Sequence, residues 1–234
     1  MKIAVDLHIH SALSPCADDD MTPNNIVNMA MLKKLDAISV TDHNSCDNVE
    51  SILRVADSKL IVVPGMEVQT REEVHLLCYF TDIDRLWDFG ELIRSKLPDI
   101  TNVPEIFGNQ LIMDQKDRII GQKKELLISS VDLSLEEILD EVNKREGALV
   151  PAHIDRPSHS VISQLGFMPE SLRHGLVEIS RHDNQYTSMF PAEKVLYSSD
   201  AHYLWEILER VSFLEVDRLS IPDLICTLAR KNDK

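Results

Sequence analysis

With 234 residues, of which 44% are hydrophobic and 27% charged, the chain is long enough to bury a sizeable core as one globular domain or two small ones, and a single barrel-sized domain fits. Its formal net charge of -15 at pH 7 argues against a protein that follows a nucleic-acid backbone through its own basic surface. The sequence shows neither an apolar run near the roughly 20 residues of a membrane span nor a signal-peptide pattern, so we expect a cytoplasmic protein without membrane contact.

Short apolar runs alternate with helical patterns along the first eighty residues. The predicted elements are a strand over 3–10, a helix over 24–35, a strand over 36–43, a helix opened by Asp47 and Glu50, and strands over 60–67 and 73–80. Thr22 followed by Pro23 predicts the start of the first helix. Connections of this length indicate parallel βα units, and near-continuous apolar strands indicate burial on both faces.

Residues 81–130 interrupt this alternation with a helical pattern over 86–97 and a hairpin pattern over 110–121. We interpret the segment as an insertion within a single domain spanning 1–234, because it has too few apolar residues for a core of its own. The alternation then resumes with a helix opened by Ser134 and Glu137 and ending at Gly147, strands over 148–153, 175–180, 194–202 and 211–216, and a C-terminal helix beginning at 220.

Side chains that commonly bind metals recur at the ends of the predicted strands. They are His8, His10, Asp42, His43, Glu67, His153, Asp200 and His202. In barrels of parallel strands the carboxyl ends of the strands build the active site, so we expect these residues to converge. His75 is an exception, because it lies near the start of its predicted strand.

The chemistry of this set favours borderline and hard divalent cations. Imidazoles and carboxylates without paired cysteines suit zinc, manganese or iron. Seven or more ligands exceed the needs of one ion, so we expect two or three ions that share a bridging carboxylate, a common arrangement for phosphoryl transfer. The four cysteines are scattered, and we interpret Cys16 and Cys46 as loop residues because no basic neighbour is evident.

Five motifs in order resemble the PHP (polymerase and histidinol phosphatase) domain family. They read DLHIH, VTDHN, GMEV, PAHIDRP and SSDAH, and the resemblance runs from residue 1 to about residue 216, with residues 81–130 outside the motifs. The resemblance implies an α/β fold, a distorted (β/α)7 TIM-like barrel that holds up to three metal ions. The strand and helix pattern alone would also allow eight strands.

The resemblance also implies a metal-ligand set. It assigns one ion to His8, His10, Glu67 and Asp200, a second to Asp18, His43 and His202, and a third to Glu67, His75 and His153. Asp18 is chosen by its distance from Pro23 in the family pattern. We predict that Glu67, Asp200 and His202 are catalytic, and we interpret Asp6 and Asp42 as acceptors that fix histidine tautomers.

The predicted function is metal-dependent hydrolysis of a small phosphorylated substrate, such as a nucleotide or a metabolite phosphate. In this hypothesis a water that bridges two ions attacks phosphorus in line. Arg156, Arg181 and His182 are candidate substrate-binding residues, because they follow strands near the motifs and an arginine can bind phosphate bidentately.

Two alternatives to this function stay open: a metal-dependent amide or ester hydrolase, and a noncatalytic metal-binding module of a larger assembly. The lack of a polymerase segment in the 234 residues counts against the second alternative. A short oligonucleotide substrate also stays possible, because residues 81–130 contain a group of basic side chains: Arg85, Arg94, Lys96, Lys116, Arg118, Lys123 and Lys124. The sequence gives no sign of an obligate protein partner.

Overall fold

The computed structural model of the chain describes residues 1–180, 190–191 and 194–229 and shows a mixed α/β fold. The described helices are α1 (Pro23–Leu32), α2 (Val49–Ala56), α3 (Ile83–Lys96), α4 (Pro104–Phe107), α5 (Leu135–Lys144), α6 (Val161–Leu165) and α7 (Ile221–Leu228). The described strands are β1 (Lys2–Ile9), β2 (Ala37–Val40), β3 (Ile61–Val62), β4 (Gly65–Gln69), β5 (His75–Tyr79), β6 (Leu111–Met113), β7 (Ile119–Gln122), β8 (Ala148–Pro151), β9 (Val177–Ile179), β10 (Val195–Tyr197) and β11 (Phe213–Glu215). A 3-10 helix covers Leu204–Glu206.

These strands form four hydrogen-bonded sheets and no closed barrel within the described residues. The orders are β11-β1-β2-β3, β4-β5-β8, β9-β10 and β6-β7. The β1–β2, β2–β3 and β9–β10 pairs are parallel, as predicted, whereas β4–β5, β5–β8 and β1–β11 are antiparallel. The expectation of parallel strands throughout is therefore wrong for the β4-β5-β8 sheet and for β11.

Local backbone chemistry explains the antiparallel pair. The run predicted as one strand over 60–67 breaks into β3 and β4 around Pro64, which has no N–H to donate to a ladder. A tight turn then reverses the chain after β4, with Thr70 N–H donating to the Val74 carbonyl at 2.9 Å. Gln69 consequently lies opposite His75 in the sheet. The start of β5 and the end of β4 are therefore at the same edge.

The helix starts follow their capping residues in most cases. The Thr22 hydroxyl accepts the Asn25 N–H at the start of α1, and Ser134 and Glu137 form the predicted capping box of α5, which ends at Lys144 rather than at Gly147. The capping box predicted from Asp47 is wrong. Asp47 instead forms an ion pair with Lys123 at 2.8 Å, and α2 has no side-chain cap.

Residues 81–130 pack onto the rest of the chain. Leu86, Phe89 and Ile93 of α3 are buried in the same core cluster as residues of β4 and β5. The predicted hairpin forms as β6 and β7, and Leu111 N–H donates to the Ala12 carbonyl at 2.7 Å. In the described part of the chain, no helix combines the length and the apolar character needed to cross a membrane.

Candidate metal centre

The ends of several strands bring the predicted ligands to one place. His8 lies near the end of β1, Glu67 lies within β4, and His75 begins β5. Two isolated parallel bridges join the separate sheets here, one between His43 and Glu67 and one between Ile9 and Ala201. His75 meets the other ligands because β5 runs antiparallel to β4, which resolves the exception in the sequence pattern.

The Glu67 carboxylate lies at the middle of this cluster. Its oxygens lie within 3.4 Å of ring nitrogens from five histidines, namely His8 (3.4 Å), His10 (3.4 Å), His43 (2.9 Å), His75 (2.8 Å) and His153 (3.3 Å). The side chain is fully buried, and neither oxygen accepts a hydrogen bond of ordinary geometry. Burial alone would raise the pKa of Glu67, but the surrounding histidines hold it well below its usual range.

A second part of the cluster joins the strand end of β1 to the segment after β10. The Nε2 atoms of His8 and His10 lie 3.2 Å apart, and Asp200 Oδ1 lies 3.2 Å from the first and 2.9 Å from the second. Burial would raise the pKa of Asp200, whereas His8 and His10 lower it well below its usual range. Three ligand atoms thus converge on one point.

Hydrogen bonds to the outer ring nitrogens fix the tautomers of His8, near the end of β1, and of His10, just after it. Glu178, a buried carboxylate within β9, lies 3.0 Å from His8 Nδ1 with both oxygens and also accepts the His153 N–H at 2.8 Å. The acceptor places the proton on Nδ1 and leaves Nε2 of His8 free to bind a metal. The sequence prediction missed Glu178, although a glutamate inside the apolar run LVEI was a usable signal.

Asp42 acts on His10 through a serine. It accepts the Ser14 hydroxyl at 2.7 Å, and the Ser14 oxygen lies 2.8 Å from His10 Nδ1. Because a hydroxyl has one proton to donate, Ser14 accepts from Nδ1–H, and Nε2 of His10 is free. Asp6 does not contact a histidine ring, contrary to the prediction; it accepts the Ser199 and Leu208 N–H groups and so positions the segment that carries Asp200.

Two ligand positions have backbone conformations that are uncommon outside glycine. His153 has φ +28° and Asp200 has φ +52°. Such conformations persist where the surrounding structure imposes them, and they occur often at functional sites. Here each of the two residues follows a strand. The His153 side chain is directed at Glu67, and the Asp200 side chain is directed at His8 and His10.

The donor set fits divalent cations. In each of three groups the ligand atoms lie within 4.8 Å of one another, and the groups are His8–His10–Asp200, His10–His43–His202 and His43–Glu67–His75. Ligands that bind one zinc ion at about 2.0–2.2 Å lie at most about 4.4 Å apart, so small adjustments suffice. The Asp18 carboxylate is in none of these groups; its Oδ1 accepts the Asp20 N–H at 2.9 Å.

Cys16 lies nearer to the cluster than the sequence indicated. Its sulfur lies 3.1 Å from His202 Nε2, so the expectation of a loop cysteine without a basic neighbour is wrong. Desolvation disfavours the Cys16 thiolate, but His43 and His202 outweigh that effect and lower the pKa of the thiol to about 6. Cys46, in contrast, is buried in the core, and burial raises the pKa of its thiol.

One of the three predicted substrate-binding residues reaches the centre. Arg156 Nη1 lies 2.5 Å from Asp200 Oδ2, and 38% of its side chain is exposed. Arg181 and His182 lie outside the described residues. His159, which the sequence gave no reason to choose, stacks on His75 with ring centroids 4.7 Å apart.

Comparison by sequence gives one distant relative. No family model matches the chain. An uncharacterized protein from Methanocaldococcus jannaschii is 26% identical over 197 residues, which are 84% of this chain and 22% of that protein. The chain therefore spans about a fifth of the length of the curated relative that it matches.

Comparison by structure gives stronger matches. A lesion-specific endonuclease, EndoQ from Pyrococcus furiosus, matches with a TM-score of 0.68 and 21% identity over 98% of this chain and 56% of its own. An amidohydrolase from Chromobacterium violaceum matches with a TM-score of 0.62 and 18% identity over 98% of this chain and 99% of its own. A two-domain protein from Bacteroides vulgatus, assigned a PHP-like metal-dependent phosphoesterase domain, matches with a TM-score of 0.58 and 17% identity. The match covers 99% of this chain and 63% of that protein. The chain has a PHP-type fold.

The PHP-type fold explains why ligands from distant parts of the sequence meet. His10 and Asp200 are 190 residues apart in the chain, yet their side chains are in contact. The resemblance drawn from the five motifs is thus confirmed at the level of the fold. The histidine and carboxylate groups described above lie at the strand ends of this PHP-type fold and could hold divalent metal ions.

Proposed function

We propose that this chain is a metal-dependent hydrolase that cleaves a phosphate ester in a small substrate, such as a nucleotide or a metabolite phosphate. The observation that carries the proposal is the buried Glu67 carboxylate within 3.4 Å of five imidazoles, since such a site suits more than one cation. When bound, two or three ions of zinc, manganese or iron would supply an acidic water and offset the negative charge of the phosphate.

The protein side chains have distinct proposed roles. In this proposal Glu67 bridges the ligand groups, and Asp200 joins His8 and His10 to the segment after β10. His202 completes the group with His10 and His43. Arg156 is the proposed ligand of the nonbridging phosphate oxygens, and its contact with Asp200 from a partly exposed position supports this role. Arg181 and His182 remain proposed substrate-binding residues on sequence grounds alone.

The charge distribution supports a small substrate. Four of the seven basic residues in the 81–130 segment form ion pairs with carboxylates: Arg85, Arg94, Arg118 and Lys123. Paired cations attract a phosphate backbone less than free ones, and the whole chain carries a net charge of -15. A long polyanion therefore gains little from this surface.

We also infer how the family architecture is realised. The separate sheets, joined near the ligands by the His43–Glu67 and Ile9–Ala201 bridges, correspond in this proposal to the distorted (β/α)7 barrel. Residues 81–130 are then an insertion in one domain spanning 1–234. Asn109 of this segment donates to Asp19 at 2.7 Å, which supports a role as a partial lid beside the site.

Hydrolysis of an amide or ester is the second candidate function. The amidohydrolase from Chromobacterium violaceum matches over nearly the full length of both chains, which favours it. The same ions would polarise a carbonyl as readily as they offset charge on a phosphate. EndoQ has also been determined with a 27-mer duplex that holds an abasic lesion at its active site, which makes a damaged duplex a necessary test substrate.

The deciding experiment compares substrates on one preparation. Protein loaded with zinc, manganese or iron is assayed for kcat/KM on aryl phosphomonoesters, phosphodiesters, mononucleotides, an abasic duplex, and aryl esters and amides. We expect the highest kcat/KM for a small phosphate ester, no turnover by metal-free protein, and a kcat/KM lower by several orders of magnitude for Glu67→Gln.

Each other outcome contradicts the proposal in a different way. A preference for the duplex that weakens steeply with salt would identify a nucleic-acid enzyme. A preference for amides or esters would identify the second candidate. Full metal loading without turnover of any substrate would leave a noncatalytic metal-binding module.

A further inference from the structure

The loop that follows β1 carries Cys16 to the edge of the ligand cluster. The Asp18 N–H donates to the His202 carbonyl at 3.0 Å, and the Ala17 N–H donates to the Ser14 carbonyl at 3.0 Å. These bonds flank Cys16 and tie its loop to the segment that carries His202. The position of the thiol is therefore set by the backbone on both sides.

A ring nitrogen with a free lone pair faces the Cys16 sulfur. His202 Nδ1 lies 2.8 Å from the Asp200 carbonyl oxygen, which accepts its proton. The proton on Nδ1 leaves Nε2 unprotonated, and Nε2 is the atom 3.1 Å from the sulfur. A thiolate and an imidazole lone pair facing each other at this distance match two ligands of one cation.

Three imidazoles beside the Cys16 sulfur could hold a cation. His10, His43 and His202 form a group of three imidazoles within 4.8 Å, without a carboxylate among them. His43 is 5% exposed, and its Nδ1 lies 2.9 Å from Glu67 Oε2, which links this group to the Glu67 carboxylate. Three imidazole ligands would leave one position of a tetrahedral site to fill.

The carboxylate that the family pattern implies for that position has a different contact. Asp18 Oδ1 accepts the Asp20 N–H at 2.9 Å, whereas the Cys16 sulfur lies 3.1 Å from His202 Nε2; neither residue is in the three groups. We propose that Cys16, in place of Asp18, is a thiolate ligand of the ion held by His43 and His202. This inference rests on the proposed metal centre and adds a sulfur ligand to it.

A thiolate ligand changes the metal preference of the centre. Sulfur favours zinc and other borderline ions, whereas oxygen ligands favour manganese and magnesium. The centre should therefore retain zinc over manganese at the Cys16 position. Cys16→Asp, which supplies a carboxylate there, should shift the preference towards manganese.

X-ray absorption of the zinc-loaded full chain tests the ligand directly, without reference to activity. We expect a sulfur neighbour at about 2.3 Å from zinc in the wild type. Cys16→Ser should lose it, whereas Cys226→Ser should keep it, because Cys226 is an exposed thiol on α7. Asp18→Asn should keep both the sulfur neighbour and the metal content, since its amide oxygen still accepts the Asp20 N–H.

Competition between zinc and manganese gives a second readout on the same variants. We expect Cys16→Asp to lower the ratio of bound zinc to bound manganese by about tenfold or more, in line with the effect of changing a ligand environment. Unchanged spectra and an unchanged ratio in Cys16→Ser and Cys16→Asp, with two or three ions bound, would overturn the Cys16 assignment and leave the proposed function intact. Failure of the wild type to bind any ion would overturn both.

Discussion

At the scale of single residues, the Glu67 carboxylate has the greatest number of ligand contacts in the described centre. It lies between imidazoles on several sides, so in the proposed metal centre its charge would let neighbouring cations approach each other. Substitution by glutamine preserves the shape and removes the charge. The consequence should therefore be a loss of metal rather than a loss of fold.

We expect Glu67→Gln to lose at least one bound ion per chain and to reduce kcat/KM by several orders of magnitude. Elemental analysis and kinetics on the same preparation measure both effects. Glu105→Gln is the matched control, since Glu105 is an exposed carboxylate in α4. Equal, mild effects of the two substitutions would refute the bridging role.

Glu178 offers a second test, because it acts on the centre through His8. Glu178→Gln retains one acceptor but can present its amide N–H to His8 Nδ1, so the required tautomer is less favoured. We expect metal affinity to fall by about 10–100-fold. Titration with a competing chelator measures the affinity, and Glu215→Gln, an exposed strand residue in β11, should bind metal like the wild type.

The residues of the centre differ in how far the sequence could predict them. His8, His10 and Glu67 were predictable because period-two strand geometry and strand ends constrain where they point. Cys16 was not, because its position depends on a hydrogen bond between Asp18 and His202, which are remote in sequence. Residue type and spacing carry no information about such a long-range contact.

At the scale of elements, the segment before the hairpin is fitted closely to the loop after β1. Gly108 has φ +105°, and a Cβ at this residue would lie 1.9 Å from the Pro15 carbonyl oxygen. The neighbouring atom is backbone, so it cannot move without moving the loop that carries Cys16. Contact between hairpin and loop is thus direct.

We expect Gly108→Ala to destabilise the fold by about 1–3 kcal/mol, as overpacking and an unfavourable φ both act. It should also weaken metal binding at the Cys16 side. Gly121→Ala is the control, because a Cβ there meets only the Ile112 side chain at 3.4 Å. Chemical denaturation and metal titration of both variants measure the difference; similar values for the two would show that the loop does not depend on the hairpin.

The elements themselves were predicted unevenly. Caps such as Ser134 with Glu137 act within one turn, and they were read correctly. Strand direction depends on the turn between strands, and the reversal at Thr70–Val74 has no glycine or proline to signal it. The prediction that β5 is parallel to its neighbours was wrong for that reason. The strand pattern therefore could not explain why His75, at the start of β5, lies beside the other predicted ligands.

At the scale of the whole molecule, metal binding should contribute strongly to stability. Buried carboxylates and imidazoles converge in a chain whose net charge is -15, so bound cations offset unfavourable burial. At a metal concentration about 1,000 times Kd, binding adds roughly 4 kcal/mol to the unfolding free energy. For a chain of this size we expect a chelator to lower Tm by on the order of 10 °C.

Thermal unfolding with zinc, with chelator, and with chelator followed by excess zinc measures this effect. The third sample should recover the Tm of the first. A Tm that does not respond to metal or chelator would contradict a centre built from these buried groups.

The stabilisation by metal should also depend on pH. Burial lowers the pKa of His8, but the carboxylates of Glu178, Asp200 and Glu67 outweigh burial and raise the pKa well above the usual range. Burial also lowers the pKa of His43, and Glu67 outweighs it in the same way. Protonated His8 and His43 therefore stabilise the metal-free fold at low pH, and this contribution is lost as pH rises through the raised pKa values. Metal must displace those protons.

We accordingly expect the gain in Tm on adding zinc to be larger at pH 8 than at pH 6. Calorimetric titration in buffers of different ionisation enthalpy should show proton release on binding at pH 7. A gain in Tm that shrinks as pH rises, or binding without proton release, would contradict protonated imidazoles in the metal-free centre.

The pairing of β11 with β1 has a consequence for how the protein is made. His10 and Asp200 are separated by 190 residues, an interval that a ribosome takes about 10–40 s to synthesise. During that time β1 lacks its β11 neighbour, and His8 and His10 lack the Asp200 carboxylate. A centre assembled from segments this far apart can close only late in folding. Metal selection is then expected to occur only after Asp200 has been synthesised, and the ions available at that stage decide which form of the protein accumulates.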